Sequence, residues 1–112
     1  MKLQGAGAMR RRLTIQVPDD TKNVYGERTN PDAWFTEGTV WGRVEELGGQ
    51  ELFYARQVWP ESQYRVTIRW QTGMTSRKRI VLEDGRILNI GNASNKDERR
   101  AELTLLCAEK SS

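Results

Sequence analysis

The chain has 112 residues and a mass of 12.9 kDa, the size of a single domain. It contains no histidine and one cysteine, Cys107. These counts exclude a Ser-His-Asp or Cys-His catalytic arrangement and a zinc site of His and Cys ligands within one chain. A lone cysteine suits a reducing cytoplasm, and no apolar run approaches the roughly 20 residues that a membrane-spanning helix needs. We expect a soluble, intracellular domain without a membrane segment.

The positive charge of the chain is concentrated at its N-terminus. The net charge is +3, from 18 Lys and Arg residues against 15 Asp and Glu residues. Residues 1–9 are rich in Gly and Ala and predict a flexible arm, which precedes one domain over residues 10–110. Arg10, Arg11 and Arg12 stand at the entrance to this domain, where they could contact nucleic acid or an acidic protein surface. The alternative is an ordinary solvated terminus before the first strand.

The first predicted strand is followed by a long segment without a pattern. Leu13, Ile15 and Val17 alternate with polar residues, which predicts a half-buried strand. Residues 18–35 show no sustained periodicity and are rich in turn-forming residues, so we expect a long loop there. Loops of this length are uncommon in compact domains and are usually functional or disordered.

A second strand and one short helix come next. The strand is predicted over residues 39–47, with Val40, Gly42 and Val44 on one face. The helix is predicted over residues 50–58, with Leu52, Ala55 and Trp59 on one face at i, i+3 and i+7, and it is too short to be stable without packing on the rest of the domain. Its apolar side chains exceed what one short helix needs to hold itself in place. They are candidates either for the core or for a subunit interface: Leu52, Phe53, Val58 and Trp59.

The second half of the chain is predicted to be β-structure throughout. Residues 64–70 alternate cleanly, residues 79–83 and 86–90 flank an Asp-Gly turn, and residues 103–107 alternate again. Six strands joined mostly by short turns indicate an all-β fold, a small antiparallel β-barrel or sandwich with one short helix and a long loop.

Residues that could support catalysis are scarce. Glu45 and Glu46 are adjacent on a strand, so their carboxylates point to opposite faces and cannot act as a catalytic pair. Cys107 occupies an apolar position of the last strand, which favours an inert core residue over a reactive thiol. We expect no enzyme activity, no cofactor and no metal site.

The polar face of the strand predicted over residues 64–70 is a candidate nucleic-acid-binding surface. Arg65, Thr67 and Arg69, together with neighbouring aromatic residues, could form a stacking platform for single-stranded nucleic acid. The aromatic residues concerned are Trp41, Tyr64 and Trp70. The alternative is that Tyr64 and Trp70 point into the core and that the arginines form the solvated face of an antiparallel sheet.

The order of motifs along the chain resembles one protein family. The resemblance covers residues 9–110 and ends in a DERRAEL segment that is followed by Cys107. The chain is similar to the head–tail adaptor, or head-closure, proteins of long-tailed bacteriophages. Its matching segments are Arg10 to Gln16, Tyr25-Gly26-Glu27, Trp34, Val40-Trp41, Val44, Gly49, Glu51-Leu52, Ala55, Tyr64 to Trp70, Asp84-Gly85-Arg86, Leu88, Ile90 and Asp97 to Leu103.

This resemblance implies a structural virion protein without cofactor or turnover. Such proteins form an oligomeric ring under the portal or connector, close the DNA-filled head and provide the attachment surface for the tail or a tail-completion protein. They are assembled in the host cytoplasm, and packaged DNA is a further non-specific contact. The resemblance implies that the long loop, with Tyr25, Gly26, Trp34 and Phe35, faces the channel or a neighbour. A single-stranded nucleic-acid-binding barrel is the alternative function.

Overall fold

Six strands and one helix make up the domain in the computed structural model, which describes residues 10–27, 29, 33–94 and 102–110. The predicted flexible arm over residues 1–9 and most of the DERRAEL segment lie outside the described residues. The elements are β1 (Arg11–Pro18), β2 (Trp34–Glu46), α1 (Gly49–Val58), β3 (Tyr64–Arg69), β4 (Arg79–Val81), β5 (Ile87–Ser94) and β6 (Glu102–Glu109).

The strands close into an antiparallel barrel. Their order around the barrel is β1-β2-β3-β6-β5-β4, and β4 pairs back to β1. The closing contact is short, from Thr14 opposite Val81 to Gln16 opposite Arg79. The predicted all-β fold with one short helix is confirmed, and of the two predicted architectures the barrel is the one formed.

The interior of the barrel is filled by alternate side chains from every strand except β2, and the inward side chains of β2 lie at the margin of this core. The fully buried core residues include Leu13, Ile68, Ile80, Leu88 and Leu105. Tyr64 and Trp70 pack against this cluster, as their parity with Val66 and Ile68 predicts. A six-stranded barrel of this kind is a packed core rather than a channel.

The second strand begins earlier than the sequence indicates. β2 starts at Trp34 rather than near residue 39, and Pro18 belongs to β1, so the irregular segment is shorter than the predicted loop over residues 18–35. The register shifts between Ile15 opposite Gly38 and Gln16 opposite Thr36, which makes Glu37 the extra residue of a β-bulge. Periodicity fails here because this end of β2 extends past the core: residues 35–39 are exposed on both faces, and Trp34 is half-buried only under Arg79.

The helix is attached to the barrel by a tryptophan that lies over a glycine. Leu52 and Trp59 are half-buried and Ala55 is buried, so the predicted i, i+3, i+7 stripe faces the barrel. Gly91 is the extra residue of a bulge in β5, and a Cβ atom at this position would overlap the Trp59 ring. Buried Ser62 closes the helix by donating its hydroxyl to the Trp59 carbonyl at 2.7 Å.

Gly91→Ala is expected to destabilise the protein by about 1–3 kcal/mol, because the new methyl group displaces the rigid indole ring of Trp59. Gly38→Ala is the matched control: it also lies in a strand, and a Cβ atom there meets nothing within 4 Å. Its effect should stay within about 0.5 kcal/mol. Urea unfolding measures both changes, and equal stabilities of the two variants would contradict the packing of Trp59 on Gly91.

Candidate functional site

A two-stranded hairpin projects from the barrel where β1 and β2 continue past their neighbours. We call the described residues between these two strands, 19–27, 29 and 33, the hairpin arm. Its two sides stay paired beyond the strand ends, because the Asp19 amide donates to the Ala33 carbonyl and the Thr29 amide to the Thr21 carbonyl, both at 2.9 Å. The predicted loop is therefore a hydrogen-bonded hairpin in the described part of this segment.

Asn23 organises the turn at the tip of the hairpin arm. Its side-chain oxygen accepts the amide of Tyr25 at 2.8 Å and that of Glu27 at 3.1 Å, an arrangement for which asparagine is well suited. Gly26 has a φ of 84°, a conformation that L-residues other than glycine rarely adopt. This turn leaves Val24 92% and Tyr25 84% exposed, so the tip carries exposed apolar surface.

Three consecutive basic residues hold the hairpin arm and its base. Arg77 pairs with Asp20, and Lys78 pairs with Glu37 at 2.8 Å. The guanidinium of Arg79 lies 4.1 Å from the centre of the Trp34 ring and donates to Gln16. We call Arg77, Lys78 and Arg79 the basic clamp.

The four predicted loop residues do not form one surface. Tyr25 and Gly26 lie at the tip, whereas Trp34 and Phe35 lie in β2 at the base of the arm. Trp34 is opposite Pro18 and Phe35 is opposite Val17, so the two aromatic side chains are on opposite faces of the hairpin. Phe35 is exposed, and Trp34 is half-buried under Arg79.

The arginines at the start of the domain also diverge. Arg10 is exposed, and Arg11 pairs with Glu83 at 3.1 Å. Arg12 stacks over Trp41 at 5.2 Å from the ring centre. Arg11 and Arg12 diverge because successive residues of a strand point to opposite faces. Their role in binding a portal or DNA stays a prediction.

The polar face of β2 and β3 is a network of ion pairs rather than a free basic surface. Arg65 binds Glu45 and Glu51, each at 3.1 Å, and so links both strands to the helix. Arg43 also pairs with Glu45 and donates to Thr67, which is only 3% exposed. Burial opposes ionisation of Glu45, but the hydrogen bonds and charges of the two arginines outweigh it and lower the pKa of this carboxyl group.

This network separates the residues of the predicted stacking platform. Arg65 is neutralised by carboxylates, and Thr67 is covered by Arg43. Tyr64 and Trp70 pack on the core, whereas Trp41 is 54% exposed on the outside of β2. Of the predicted platform, only Trp41, Trp70 and Arg69 come together, at a cleft beside the end of β3, and Tyr64 lies at the other end of that strand.

An exposed apolar patch lies on the helix. Phe53 is 61%, Tyr54 58% and Val58 61% exposed, and the two aromatic rings meet edge to face with centres 5.5 Å apart. We call these three residues the helix patch. The predicted subunit-interface set is thus divided, because Leu52 and Trp59 face the barrel. Tyr54 was not singled out from the sequence, although it is one helical turn from Val58.

Two open clefts flank the barrel. The larger, of about 710 Å³, lies between the helix and the end of β6 and is lined by charged and polar residues such as Glu46, Arg56 and Glu109. The smaller, of about 300 Å³, is lined by Val40, Trp41, Arg69, Trp70 and Gln71, and we call it the tryptophan cleft. Its volume is at the lower limit for ligand pockets, about 300–1,000 Å³.

Groups suited to catalysis or metal binding are not assembled in the part of the chain that the structure describes. Cys107 lies in the core, as predicted, and this burial raises its pKa to about 12. Among these residues no three His, Cys, Asp or Glu side chains form a group that could hold a metal ion. The helix of the described domain is not long and apolar enough to cross a membrane.

The sequence profile of the family described as phage head completion protein matches residues 5–110. The chain belongs to this family. A similar solved structure is the solution structure of protein SF1141 from Shigella flexneri 2a, which is 25% identical over 96% of this chain and 98% of that chain, with a TM-score of 0.77. Among proteins with curated descriptions, none matches the chain. Family membership makes this head completion protein a structural component of a phage particle.

Glu45→Gln should weaken this head completion protein at pH 7 and have little effect in acid. The pKa of Glu45 is lowered from 4.5 in the folded state. Its ionised form therefore stabilises the fold above about pH 4.5, and this contribution is lost as the pH falls through the folded-state pKa. Unfolding measured between pH 3 and 7 checks the trend. Glu46→Gln is the control, since Glu46 is the next residue, is exposed and makes no ion pair among the described residues. The same pH dependence in both variants would contradict this assignment.

Replacing Arg77 and Lys78 together by Gln should loosen the hairpin arm while the barrel stays folded. The double variant removes the ion pairs to Asp20 and Glu37 that hold the arm and its base. Both carboxylates are solvent-exposed, and ion pairs at the surface are each worth about 0–1 kcal/mol. Hydrogen exchange should become faster at the Asp19 and Thr29 amides and stay unchanged in β6. Lys110→Gln is the control, and unchanged exchange in the arm would show that the basic clamp does not restrain it.

Proposed function

We propose that this protein forms a ring under the phage portal, closes the DNA-filled head and provides the attachment surface for the tail. The observation that carries the proposal is the hairpin arm with its apolar tip, projecting from a barrel that is otherwise closed. A closed barrel has no free sheet edge, so it serves as a rigid body. In a ring, identical arms from all subunits would project in the same sense and could converge on the channel.

The proposed ring also defines the partners of the protein. A portal or connector protein lies above the ring and a tail or tail-completion protein lies below it, so the protein is located at the head–tail interface of the virion and is assembled in the host cytoplasm. The exposed tip residues Val24 and Tyr25 suit contact with a neighbouring subunit or with the channel lining. Arg10, Arg11 and Arg12 suit an acidic portal surface or the end of the packaged DNA.

Replacing Arg10, Arg11 and Arg12 together by Ser should leave the fold intact and impair attachment to packaged heads. The contacts of Arg11 and Arg12 within the chain are exposed and contribute about 0–1 kcal/mol each. In a ring, the weak contacts of all subunits together strengthen binding to the head, because each further contact forms at high effective concentration. Complementation of an adaptor-deficient phage, with heads scored by microscopy for retained DNA and attached tails, measures the effect.

The triple lysine variant is the matched control, since it keeps all three charges and should retain attachment. Normal yields of full, tailed particles from the serine variant would remove these arginines from the mechanism. Failure of the wild-type protein to bind portal-bearing heads, together with tight binding of single-stranded DNA that weakens steeply with salt, would instead support the nucleic-acid-binding alternative.

A further inference from the structure

We propose that the basic clamp is a binding site for the phosphate backbone of DNA, and that the acidic hairpin arm and its base occupy this site until DNA displaces them. The inference rests on the proposed function, which brings the arm to the channel of the DNA-filled head. It adds a surface that the arm and DNA bind in alternation, so that the position of the arm depends on the presence of DNA.

The basic clamp and the segment that it holds carry opposite charge. Residues 19–33 contain four Asp and Glu residues against two Lys and Arg residues, a net charge of −2. Glu37, at the base of the arm, adds a further carboxylate. The three cations of the clamp attract this segment, and a polyanion placed at the clamp attracts the same cations while it repels the segment.

The ion pairs between the clamp and the arm are of a kind that another anion can replace. Asp20 accepts from Arg77, and Glu37 accepts from Lys78. The two carboxylate side chains are 50% and 48% exposed, and pairs in such positions are weak and are screened by salt. A phosphate oxygen accepts the same hydrogen bonds as a carboxylate oxygen, so DNA competes directly for both cations.

The third cation of the clamp has no carboxylate partner in the described domain. Arg79 donates to the side chain of Gln16 and lies over the Trp34 ring. Desolvation lowers the pKa of Arg79, because no anion compensates for its partial burial. The clamp thus has one positive charge more than its two carboxylates neutralise, and a guanidinium group matches a phosphate in geometry.

Only part of the clamp is accessible while the arm is in place. The Arg77 side chain is 64% exposed, whereas that of Lys78 is 15% exposed in its pair with Glu37. A phosphate group therefore reaches Arg77 first. The other two cations become accessible only after the base of the arm has moved, so full contact with DNA and the observed position of the arm exclude each other.

The base of the arm can move without disturbing the core. Residues 35–39 are exposed on both faces of β2, and Glu37 is the extra residue of a β-bulge. Pro18 ends β1 and has no amide hydrogen to donate to the ladder. None of these residues belongs to the core cluster. The direction of the arm therefore depends more on the clamp than on apolar packing.

Binding of a short fluorescent DNA duplex to the full chain, followed by anisotropy in about 50 mM salt, tests the shared site. Asp20→Asn with Glu37→Gln frees the clamp and should tighten binding by about three- to tenfold, since an exposed ion pair changes an equilibrium constant by up to about fivefold. Glu46→Gln with Glu61→Gln is the matched control, because it removes the same charge at the opposite end of the barrel. Its effect should stay below about twofold, since distant exposed charges are largely screened. An equal gain in both variants would show an effect of net charge alone and would overturn the proposal.

Removal of the cations should reverse this gain. Arg77→Gln with Lys78→Gln, added to the first variant, should return the affinity to the wild-type level or below and lower the slope of log K against log salt by about two. Arg69→Gln with Lys110→Gln removes two exposed cations elsewhere and should keep most of the gain. The same loss in both variants would show that the clamp is not the site.

Nitroxide labels on Tyr25→Cys at the arm tip and Glu61→Cys at the opposite end of the barrel report the position of the arm. The native Cys107 is buried and its pKa is raised to about 12, so it should stay unlabelled. Saturating duplex should shift the distance distribution to the one that the Gln variant of Arg77 and Lys78 shows without DNA. An unchanged distribution with DNA bound would refute displacement of the arm. These measurements use the isolated chain, so their failure refutes the shared site, whereas failure of attachment to heads refutes the proposed function.

Discussion

The pairing of β1 with β4 is the contact on which the rest of the molecule depends, because it converts a six-stranded sheet into a closed barrel. It covers only the pairs from Thr14–Val81 to Gln16–Arg79. Closure brings the inward side chains of the strands into one core and removes the free sheet edges that would otherwise pair with other chains. The hairpin arm then follows from unequal strand lengths: β2 has 13 residues and β3 has six, so the first part of β2 extends past the barrel with only β1 beside it.

The helix is a separate layer whose position is set by few contacts. The Trp59 ring occupies the space that a side chain at Gly91 would fill, and Ser62 closes the last turn beneath it. A helix attached along this narrow stripe cannot bury its opposite face. The exposure of Phe53, Tyr54 and Val58 is therefore a consequence of the way the helix is anchored.

The ion pairs of the described residues mainly hold strands, helix and hairpin arm in position relative to one another. The Glu45–Arg65–Glu51 network joins two strands to the helix, and the basic clamp joins the hairpin arm and the start of β2 to the start of β4. Each of these exposed or half-buried pairs is weak alone, but each connects segments that the apolar core does not reach.

The alternation of apolar residues was enough to predict the strands of the barrel, the inward orientation of Tyr64 and Trp70, and the side of the helix that faces the core. Periodicity reports burial, so it was informative wherever a side chain enters the core of its own chain. It failed over Trp34–Gly38, a strand segment from which no residue extends into the core, and it could not show that a bulge places Gly91 under Trp59. The order of motifs indicated the family, but the basic clamp, the separation of Arg11 from Arg12 and the tryptophan cleft were decided by the tertiary structure. They join residues far apart in sequence, whose proximity depends on strand register and barrel closure and leaves no local pattern in the chain.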